Sequence, residues 1–471
     1  MLGDDVLYLS VRELGERIRR RALSPVALAE SYLDRSERIG TRLNAYVTLT
    51  RELALEQARA AEREIAAGHY RGPLHGIPYA VKDLLAVKGY PTTWGAKPYA
   101  KQQFDYNATV IERLSRAGAV LIGKAAMIEL AGGLGYRSGY ASLTGPAKNP
   151  WNMNYWTCGS SSGPGAIVAA GLAAFALGSD TRGSIICPSA FCGISGVRPS
   201  FGRVSRYGAM AISYSMDKIG PMARTADDCG LILSVIAGHD RKDYDSLRPG
   251  DAEFPYQALS KARRRPLRIG RLTNVYKEME PGLPPALDEA FAVLEKHGTR
   301  ISDALLPDGP FQEAALATVF SESASAFRPL IDSGRVAELA DPTGRISGYA
   351  RLQVSAADYL QVQRVRTFLM ERIDRLFDDF DVISTASFPG TAPLLNPPPG
   401  YKRPRYSPEI VGGVASLCGL PTISVPCGFS REKLPFGIQF VGRAVNDYAV
   451  IAAARLFQQH TKWHKMHPPI A

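Results

Sequence analysis

The stretch Thr157-Cys-Gly-Ser-Ser-Ser-Gly-Pro-Gly-Ala166, with the later turn Leu177-Gly-Ser-Asp-Thr-Arg-Gly-Ser-Ile185, is the most informative part of this 471-residue chain. Two Gly/Ser loops flank a run of small and apolar residues, which is typical of a closely packed helix followed by a buried strand. Glycine-rich turns expose backbone N–H groups that stabilise an oxyanion during acyl transfer or bind phosphate. The pattern therefore favours one of these two kinds of site.

The residues leave three interpretations of these loops. A phosphate site needs the spacing Gly-x4-Gly-Lys-Ser/Thr or Gly-x-Gly-x-x-Gly, and neither occurs here. Residues 159–163 satisfy Gly-x-Ser-x-Gly, the nucleophile elbow of α/β-hydrolases, with Ser161 as the nucleophile. That motif is weak in a Gly/Ser-rich loop, and no histidine stands in a loop signature that marks it as a partner. A plain tight turn is the third interpretation. The candidate histidines are His239, His297 and His460.

A lysine upstream decides between these interpretations. Lys82 ends the segment Gly72-Pro-Leu-His-Gly-Ile-Pro-Tyr-Ala-Val-Lys82, in which an apolar run leads directly up to it. A single lysine is usually a solvated surface charge. A lysine at the end of a buried strand is unusual, so Lys82 is a candidate for the chemistry of this site.

Together, Lys82, the Ser160 loop and the Ser184 turn closely resemble the amidase signature family. The resemblance runs over almost the whole chain and implies an α/β fold in which helices cover both faces of a mixed β-sheet. It also implies an amidase that hydrolyses C–N bonds. The further motifs that carry it are Gly123-Lys-Ala-Ala-Met-Ile-Glu129, Asn149-Pro-Trp151, Pro188-Ser-Ala-Phe-Cys-Gly-Ile-Ser-Gly196, Gly202-Arg-Val-Ser-Arg-Tyr-Gly208, Gly419-Leu-Pro-Thr-Ile-Ser-Val-Pro-Cys-Gly428 and Gly437-Ile-Gln-Phe-Val-Gly442.

The resemblance implies a role for each residue of the site. Ser184 is the nucleophile, Ser160 is a bridging serine that follows a cis peptide bond, and Lys82 is the general base. Ser184 lies 24 residues after Ser160, the family spacing without a gap, whereas Ser161 would be off by one. Ser161 instead supports the lysine, and Asp180 supports the nucleophile turn. The implied oxyanion hole consists of the backbone N–H groups of Thr181, Arg182, Gly183 and Ser184.

The chemistry of the residues agrees with these roles. A serine hydroxyl is a poor nucleophile without an adjacent base, and a lysine, whose ordinary pKa is about 10.4, is a base only when neutral. Lowering that pKa by roughly 3 units costs about 4 kcal/mol in lost charge stability. We therefore expect a dry site around Lys82. Side chains and N–H dipoles carry the whole reaction, so no metal or organic cofactor is expected.

Three positions depart from the family pattern. Arg182 replaces the first glycine of the Gly-Gly-Ser turn, and an arginine in left-handed backbone costs roughly 1–2 kcal/mol. Pro164 interrupts the usual Ser-Gly-Gly-Ser run, and Ile186 replaces the arginine expected two residues after the nucleophile. The catalytic positions are intact, so these changes bear on the substrate pocket.

Apolar runs of strand length alternate with amphipathic stretches, which favours one large α/β domain. We expect a single domain over residues 1–471, with a helical segment at 1–70 packed on a signature core at 71–230. Residues 305–341 are weakly patterned, and 396–408 form a stiff surface loop. Strands are expected at 77–81, 120–122, 175–178, 267–269, 382–384 and 422–425, and helices at 26–40, 52–67, 108–118, 286–298, 355–377 and 448–460.

The composition is that of a globular protein, with 45% hydrophobic and 21% charged residues. The net charge is +11, and basic residues concentrate at 17–21 and 261–265. Neither cluster carries aromatic residues or a nucleic-acid-binding module, so we expect solvated faces rather than a nucleic-acid partner. The apolar stretch at 163–178 is shorter than the ~20 residues that span a bilayer. The acidic N-terminus lacks a secretory signal, which favours a cytoplasmic protein.

The cysteines are spread over the chain without a Cys-x-x-Cys pair. This distribution favours reduced thiols over disulfides or a zinc site. The six residues are Cys158, Cys187, Cys192, Cys229, Cys418 and Cys427.

We expect a stand-alone serine hydrolase of carboxylic amides, with esters, anilides and carbamates also accessible because the same acyl-transfer chemistry serves them. Within the family, the alternative is the glutaminase A-type subunit of a tRNA-dependent amidotransferase, which requires partner subunits. The basic charge mildly favours that alternative, whereas Arg182, Pro164 and Ile186 oppose it. A basic binding protein without activity is the hypothesis from another class.

The expected substrate is a small molecule, and the sequence does not decode the loops that would line its pocket. An apolar or aromatic group would suit several aromatic side chains near the Ser160 loop. Assembly into a homo-oligomer stays open. The aromatic residues are Tyr136, Tyr140, Trp151, Tyr155 and Trp156.

Overall fold

One mixed sheet forms the centre of the computed structural model, which describes residues 2–261, 265–398 and 413–470. Within those residues it has eleven strands, in the spatial order given below. The strands are β1 (Tyr46–Leu49), β2 (Pro78–Lys82), β3 (Val120–Ala125), β4 (Phe175–Asp180), β5 (Ser195–Arg198), β6 (Lys218–Ala223), β7 (Arg268–Leu272), β8 (Arg300–Ala304), β9 (Val382–Ala386), β10 (Thr422–Phe429) and β11 (Pro435–Gly442). Their order across the sheet is β1-β3-β2-β4-β6-β5-β10-β11-β9-β7-β8.

Two parallel groups lie within this sheet. Strand β2 pairs in parallel with β3 and β4, and β7 pairs in parallel with β8 and β9, while the remaining pairs are antiparallel. The carboxyl ends of parallel neighbours lie at the same edge of a sheet. The end of β2 at Lys82 therefore lies beside the end of β4 at Asp180.

Most strands are buried along their whole length. Every residue of β2, β3, β4, β6 and β11 is buried. Because successive side chains of a strand point to opposite faces, such strands require cover on both faces. The expected α/β fold, a mixed sheet covered on both sides, is confirmed.

Five of the described helices begin with a residue whose side chain caps the first turn. Ser24, for example, caps its helix by accepting a hydrogen bond from the Ala27 N–H at 3.1 Å. The helices of the described residues are α1 (Asp4–Leu7), α2 (Val11–Arg19), α3 (Pro25–Arg35), α4 (Thr41–Leu43), α5 (Arg51–Ala66), α6 (Thr109–Arg116), α7 (Ser162–Ala169), α8 (Ile186–Cys192), α9 (Ala226–Ile236), α10 (Tyr256–Lys261), α11 (Leu283–Lys296), α12 (Phe311–Ala326), α13 (Arg328–Asp332), α14 (Pro342–Arg351), α15 (Ala356–Asp374), α16 (Leu376–Asp379), α17 (Ala415–Leu417) and α18 (Asp447–Gln459).

All the expected strands and helices are present, with ends that shift by a few residues. Strands β1, β5, β6, β8 and β11 were not expected. Strand β6 contains Gly220 and Pro221, and β8 is mostly exposed, so neither shows an apolar run of strand length. The weakly patterned residues 305–341 form helices, including α12 and α13. The predicted surface loop at 396–408 and the basic cluster at 261–265 lie largely outside the described residues.

The N-terminal segment packs on the sheet and on the α7–β4 connection. Arg35 Nε donates to the Ala170 carbonyl at 3.1 Å, and Ser36 Oγ donates to the Leu172 carbonyl at 3.1 Å. The Leu121 N–H of β3 donates to Gln57 of α5 at 2.8 Å. One sheet collects strands from residue 46 to residue 442, as a single domain requires. The subdivision at residues 70 and 230 stays a prediction.

The cysteines contradict the expectation of reduced thiols. Cys158 and Cys187 form a disulfide with a Cα–Cα distance of 5.9 Å, although 29 positions separate them in the sequence. The fold brings together two cysteines that no local spacing pairs. The remaining cysteines are free and buried. No helix of the described residues is long and apolar enough to cross a membrane.

Candidate active site

Lys82 lies at the buried end of β2, with none of its surface exposed. Its Nζ donates to Ser160 Oγ at 2.7 Å and to Ser179 Oγ at 2.9 Å, and it lies 3.5 Å from the Ser179 carbonyl oxygen. Burial lowers the pKa of Lys82 to about 7, against the opposing charges of Asp180 and Asp217. In a large fraction of the molecules the Lys82 amine is therefore neutral at physiological pH.

The Ser160 loop runs from the Gly159–Ser160 peptide bond, which is cis, into the N-terminus of α7. Ser160 is only 1% exposed, and its carbonyl accepts a hydrogen bond from the Ile128 N–H at 3.2 Å. Gly163 allows the close approach of this loop, because a Cβ there would lie 2.5 Å from the backbone nitrogen of Ala126. The glycine is therefore required by this close packing.

The Ser184 turn is held by a buried carboxylate. Asp180 accepts hydrogen bonds from the backbone N–H groups of Gly183 at 2.6 Å and Ile185 at 2.8 Å. Burial by itself would raise the pKa of Asp180, but the charge of Arg198, whose Nη1 is 3.4 Å away, and these N–H donors hold that pKa below its usual value. Asp180 is therefore the ionised anchor of the turn, which agrees with its expected supporting position.

Ser184 itself is half-buried, so a substrate can reach it, whereas Ser160 behind it is sealed. Within the described residues no hydrogen bond joins the Ser160 and Ser184 hydroxyls. The two loops meet instead through the Ser161 N–H, which donates to the Ser184 carbonyl at 3.3 Å. Catalytic hydrogen bonds are often long or absent in an unliganded site and form when substrate binds.

The backbone donors of the turn differ from the expected set of four. The Gly183 N–H already donates to Asp180, so it is removed from the candidate oxyanion donors. The N–H groups of Thr181 and Ser184 make no hydrogen bond among the described residues. Together with the Arg182 N–H, they stay candidates for an oxyanion hole.

Arg182 is half-buried beside the turn, and burial lowers its pKa to about 10, while an interaction with Tyr136 acts in the opposite direction. The guanidinium is therefore charged at neutral pH. The left-handed conformation of the turn falls on Gly183, whose φ is 105°, and Arg182 is not among the residues with positive φ. The expected backbone cost at Arg182 does not arise.

An apolar cluster, which we call the site cluster, lies next to both loops. Of the expected aromatic residues, Tyr136, Tyr155 and Trp156 belong to it or pack against it. Tyr140 and Trp151 do not, since Tyr140 bonds to Asn396 and Trp151 Nε1 donates to the Cys192 carbonyl. Its buried members are Ile128, Ala141, Trp156, Cys158, Ile186, Cys187, Ala190, Phe191, Phe388 and Ala392.

Ser179 is the neighbour of Lys82 that sequence reasoning missed. Ser161, which was expected to support the lysine, makes no hydrogen bond to it among the described residues. Ser161 Oγ instead donates to the Ser179 carbonyl at 3.1 Å and accepts from the Ser179 N–H at 3.3 Å. The signal for Ser179 was its place at the end of β4, directly before Asp180 and beside the end of β2.

The nucleophile-elbow interpretation fails on geometry. The Ser161 hydroxyl is buried and occupied by the Ser179 backbone. The candidate histidines are engaged elsewhere. His239 contacts the Leu247 carbonyl, and His297 stacks on His460 with a centroid distance of 3.3 Å.

The family model described as Amidase matches residues 27–451. The chain belongs to the amidase signature family. It is accordingly an enzyme that acts on C–N bonds. Within the described residues no group of His, Cys, Asp or Glu could hold a metal ion.

Relatives of this amidase signature enzyme span its whole length. It is 36% identical to the A subunit of the glutamyl-tRNA(Gln) amidotransferase of Carboxydothermus hydrogenoformans, over 99% of this chain and 100% of the relative. A solved structure from work on a vestigial protein complex and the origins of an s-triazine catabolic enzyme has a TM-score of 0.87 and 28% identity, covering 96% of this chain and 98% of the other. The peptide amidase of Stenotrophomonas maltophilia has a TM-score of 0.80 and 28% identity, covering 96% and 97%.

Proposed function

We propose that the segment 71–230 of this amidase signature enzyme carries a Lys82–Ser160–Ser184 relay that cleaves carboxylic amides. Neutral Lys82 takes the proton of Ser160, Ser160 takes that of Ser184, and Ser184 Oγ attacks the substrate carbonyl. The Ser184 hydroxyl has to turn towards Ser160 for this step. Because Ser184 is half-buried, it has room to do so when a substrate enters.

The negative charge on the tetrahedral intermediate needs donors that are already in place. The N–H groups of Thr181, Arg182 and Ser184 are the proposed donors. The relay returns the proton to the leaving amine, which departs as the C–N bond breaks and leaves an acyl group on Ser184. A water molecule, deprotonated through the same relay, then releases the acid and restores the free hydroxyl.

One observation carries this proposal: the amine of Lys82 is buried, which lowers its pKa to about 7, and it contacts the Ser160 hydroxyl of the adjacent loop. Treatment with a fluorophosphonate followed by peptide mass mapping tests it. We expect modification of Ser184, and none in Ser184→Ala. Modification of Ser161 would instead support the nucleophile-elbow interpretation, and absence of any modification would favour a binding protein without activity.

The comparisons support the glutaminase subunit of an amidotransferase as the finer function, better than a stand-alone hydrolase. The supporting observation is the full-length similarity to amidotransferase A subunits, at 36% and 35% identity in two relatives. In this function the leaving group is the ammonia of a side-chain carboxamide, and partner subunits receive it. Glutamine hydrolysis by the isolated chain, measured with and without the partner proteins of such an A subunit from a related organism, tests it. Stimulation supports the amidotransferase function.

A stand-alone hydrolase is the second candidate, because apolar side chains lie next to the proposed nucleophile. Ile186 stands where the family has an arginine, and it lies in the site cluster with Trp156 and Phe388. Such a wall suits an apolar or aromatic acyl group better than a charged amino acid. Turnover of an aryl anilide, ester or carbamate by the chain alone, without stimulation by partner subunits, would support this candidate and oppose the amidotransferase function.

A further inference from the structure

The disulfide joins the Ser160 loop to the start of α8, the helix that directly follows the Ser184 turn. Cys158 lies two residues before Ser160, and Cys187 lies three residues after Ser184. It is the only disulfide among the described residues. Its position therefore sets the distance between the loops rather than closing a surface hairpin.

Hydrogen bonds also tie these loops together, since Ser161 Oγ donates to the Ser179 carbonyl at 3.1 Å and accepts from the Ser179 N–H at 3.3 Å, at the end of β4 that leads into the Ser184 turn. The Ser161 N–H donates to the Ser184 carbonyl at 3.3 Å, and the two hydroxyls share no hydrogen bond. At the start of α8, the Cys187 N–H donates to the Gly183 carbonyl at 2.8 Å, which ties the cysteine to the nucleophile turn. A displacement of Cys187 therefore reaches Gly183 and Ser184 through the backbone.

The two cysteines of the disulfide are also the most exposed of the six cysteines. Cys158 is 8% exposed and Cys187 is 5% exposed, whereas the free cysteines are 2% exposed or less. Both belong to the site cluster, next to Trp156 and Ile186. These two residues are therefore more accessible to a small reductant than the free cysteines are.

We propose that the Cys158–Cys187 disulfide is a redox-controlled clamp on the active site, with the oxidised enzyme as the fully active form. A dithiol attacks the disulfide, the Cys158–Cys187 bond breaks, and the reductant leaves as its own disulfide. Two electrons and two protons end on the two cysteine thiols. A small disulfide oxidant, such as oxidised glutathione, reverses the exchange. The inference rests on the proposed function of Ser160 and Ser184.

Loss of the clamp acts on turnover more than on folding. Asp180 still holds the Ser184 turn and the Lys82 contacts still hold Ser160, so each loop stays formed. Their mutual placement loosens, and small misplacements of reacting groups lower rates steeply. We expect reduction to lower kcat by roughly tenfold, with a smaller change in KM.

The test measures kcat and KM of the full chain, purified without reductant, before and after treatment with dithiothreitol, and after reoxidation with oxidised glutathione. Alkylation and mass mapping of the peptides that carry residues 158 and 187 report the redox state. The proposal predicts a fall in kcat that reoxidation reverses. Equal kcat in both verified states overturns it, and so does finding both cysteines alkylated before any reductant is added.

Two variants separate the clamp from other effects of the reductant. Cys158→Ser/Cys187→Ser has the kcat of the reduced enzyme and no response to dithiothreitol, whereas Cys427→Ala, which removes a buried free thiol of β10, responds like the natural chain. A response that persists in the double variant overturns the proposal. If the double variant fails to fold, the reduction of the natural chain still decides.

Fluorophosphonate labelling of Ser184 in the oxidised enzyme keeps the two proposals apart. If the enzyme is labelled at Ser184 and turns over an amide, but its kcat does not change on reduction, only the proposal of the clamp is overturned. An oxidised enzyme that neither labels at Ser184 nor turns over any amide removes the proposed function itself.

Discussion

Two buried lysines on neighbouring strands have opposite partners. Lys82 at the end of β2 contacts the hydroxyls of Ser160 and Ser179, whereas Lys124 on β3 forms an ion pair with Asp83 at 2.8 Å. Neither lysine exposes any side-chain surface. Burial lowers both pKa values, but only Lys124 has a carboxylate in contact that favours its charged form.

The difference shows that the partner, and not burial, decides the role of such a lysine. Asp83 directly follows Lys82 in the sequence, in the turn after β2, yet it forms its ion pair with Lys124 of the neighbouring strand. Hydroxyl partners leave the Lys82 amine free to accept a proton. A carboxylate partner makes Lys124 part of the scaffold.

Removing the Lys82 amine should have the largest effect. We expect Lys82→Met to lower kcat by at least about 10⁴-fold, because the members of a nucleophile–base unit act together. Stability should hold or rise, since a buried amine without a carboxylate partner is costly. Kinetics on an amide substrate and thermal unfolding check both expectations. Near-full turnover would break the contrast between the two lysines.

The matched change at the other lysine should act on folding. Lys124→Met leaves Asp83 as an unpaired buried charge, which costs roughly 3–5 kcal/mol of unfolding free energy. Denaturant unfolding measures this loss, and kcat per folded molecule should change little. Adding Asp83→Asn should recover part of the stability. A large loss of kcat with unchanged stability would show that Lys124 belongs to the chemistry.

The pH dependence should report the Lys82 amine. Since only the neutral amine is a base, kcat/KM should rise with pH, with a midpoint near the lysine pKa of about 7, and then level off. Below the midpoint it should fall about tenfold per pH unit. The rate of Ser184 labelling by a fluorophosphonate should follow the same curve. A flat profile between pH 5 and 9 would exclude this base.

The smallest expected effect concerns the second hydroxyl partner of Lys82. Ser179→Ala removes one of its two side-chain contacts, and we expect kcat to fall about tenfold, with little change in KM. A shift in the midpoint of the pH profile would separate positioning of the amine from a general loss of stability. Ser384→Ala, which removes a buried hydroxyl of β9 bonded to the Gln439 carbonyl, is the control that should keep full activity.

Much of the site could be predicted because its parts are short local patterns. Lys82 ends an apolar strand, and Ser160 and Ser184 stand in glycine-rich turns at the family spacing. Ser179 escaped because its contact with Lys82 depends on the pairing of β2 with β4, which nothing local encodes. The family resemblance assigned the Gly183 N–H to the oxyanion hole. That this N–H donates to Asp180 instead is visible only in the folded turn.

The strands likewise fall into those that the sequence predicted and those that it did not. Strands such as β4 and β10 carry apolar runs and were expected, whereas β6 and β8 owe their place to neighbours in the sheet. The disulfide is the clearest example of a feature that the sequence did not predict. Its cysteines are 29 positions apart, and the sparse distribution of cysteines favoured reduced thiols.

The sequence by itself determined the family and the α/β class, and it predicted the two serines and the lysine of the proposed relay, because these depend on residue type and on spacing along the chain. The tertiary structure decided that burial lowers the pKa of Lys82 to about 7, that Ser179 contacts its amine and that Cys158 bonds to Cys187. Charge state and pairing depend on burial and on distances between remote segments, and the packed sheet is what fixes those distances.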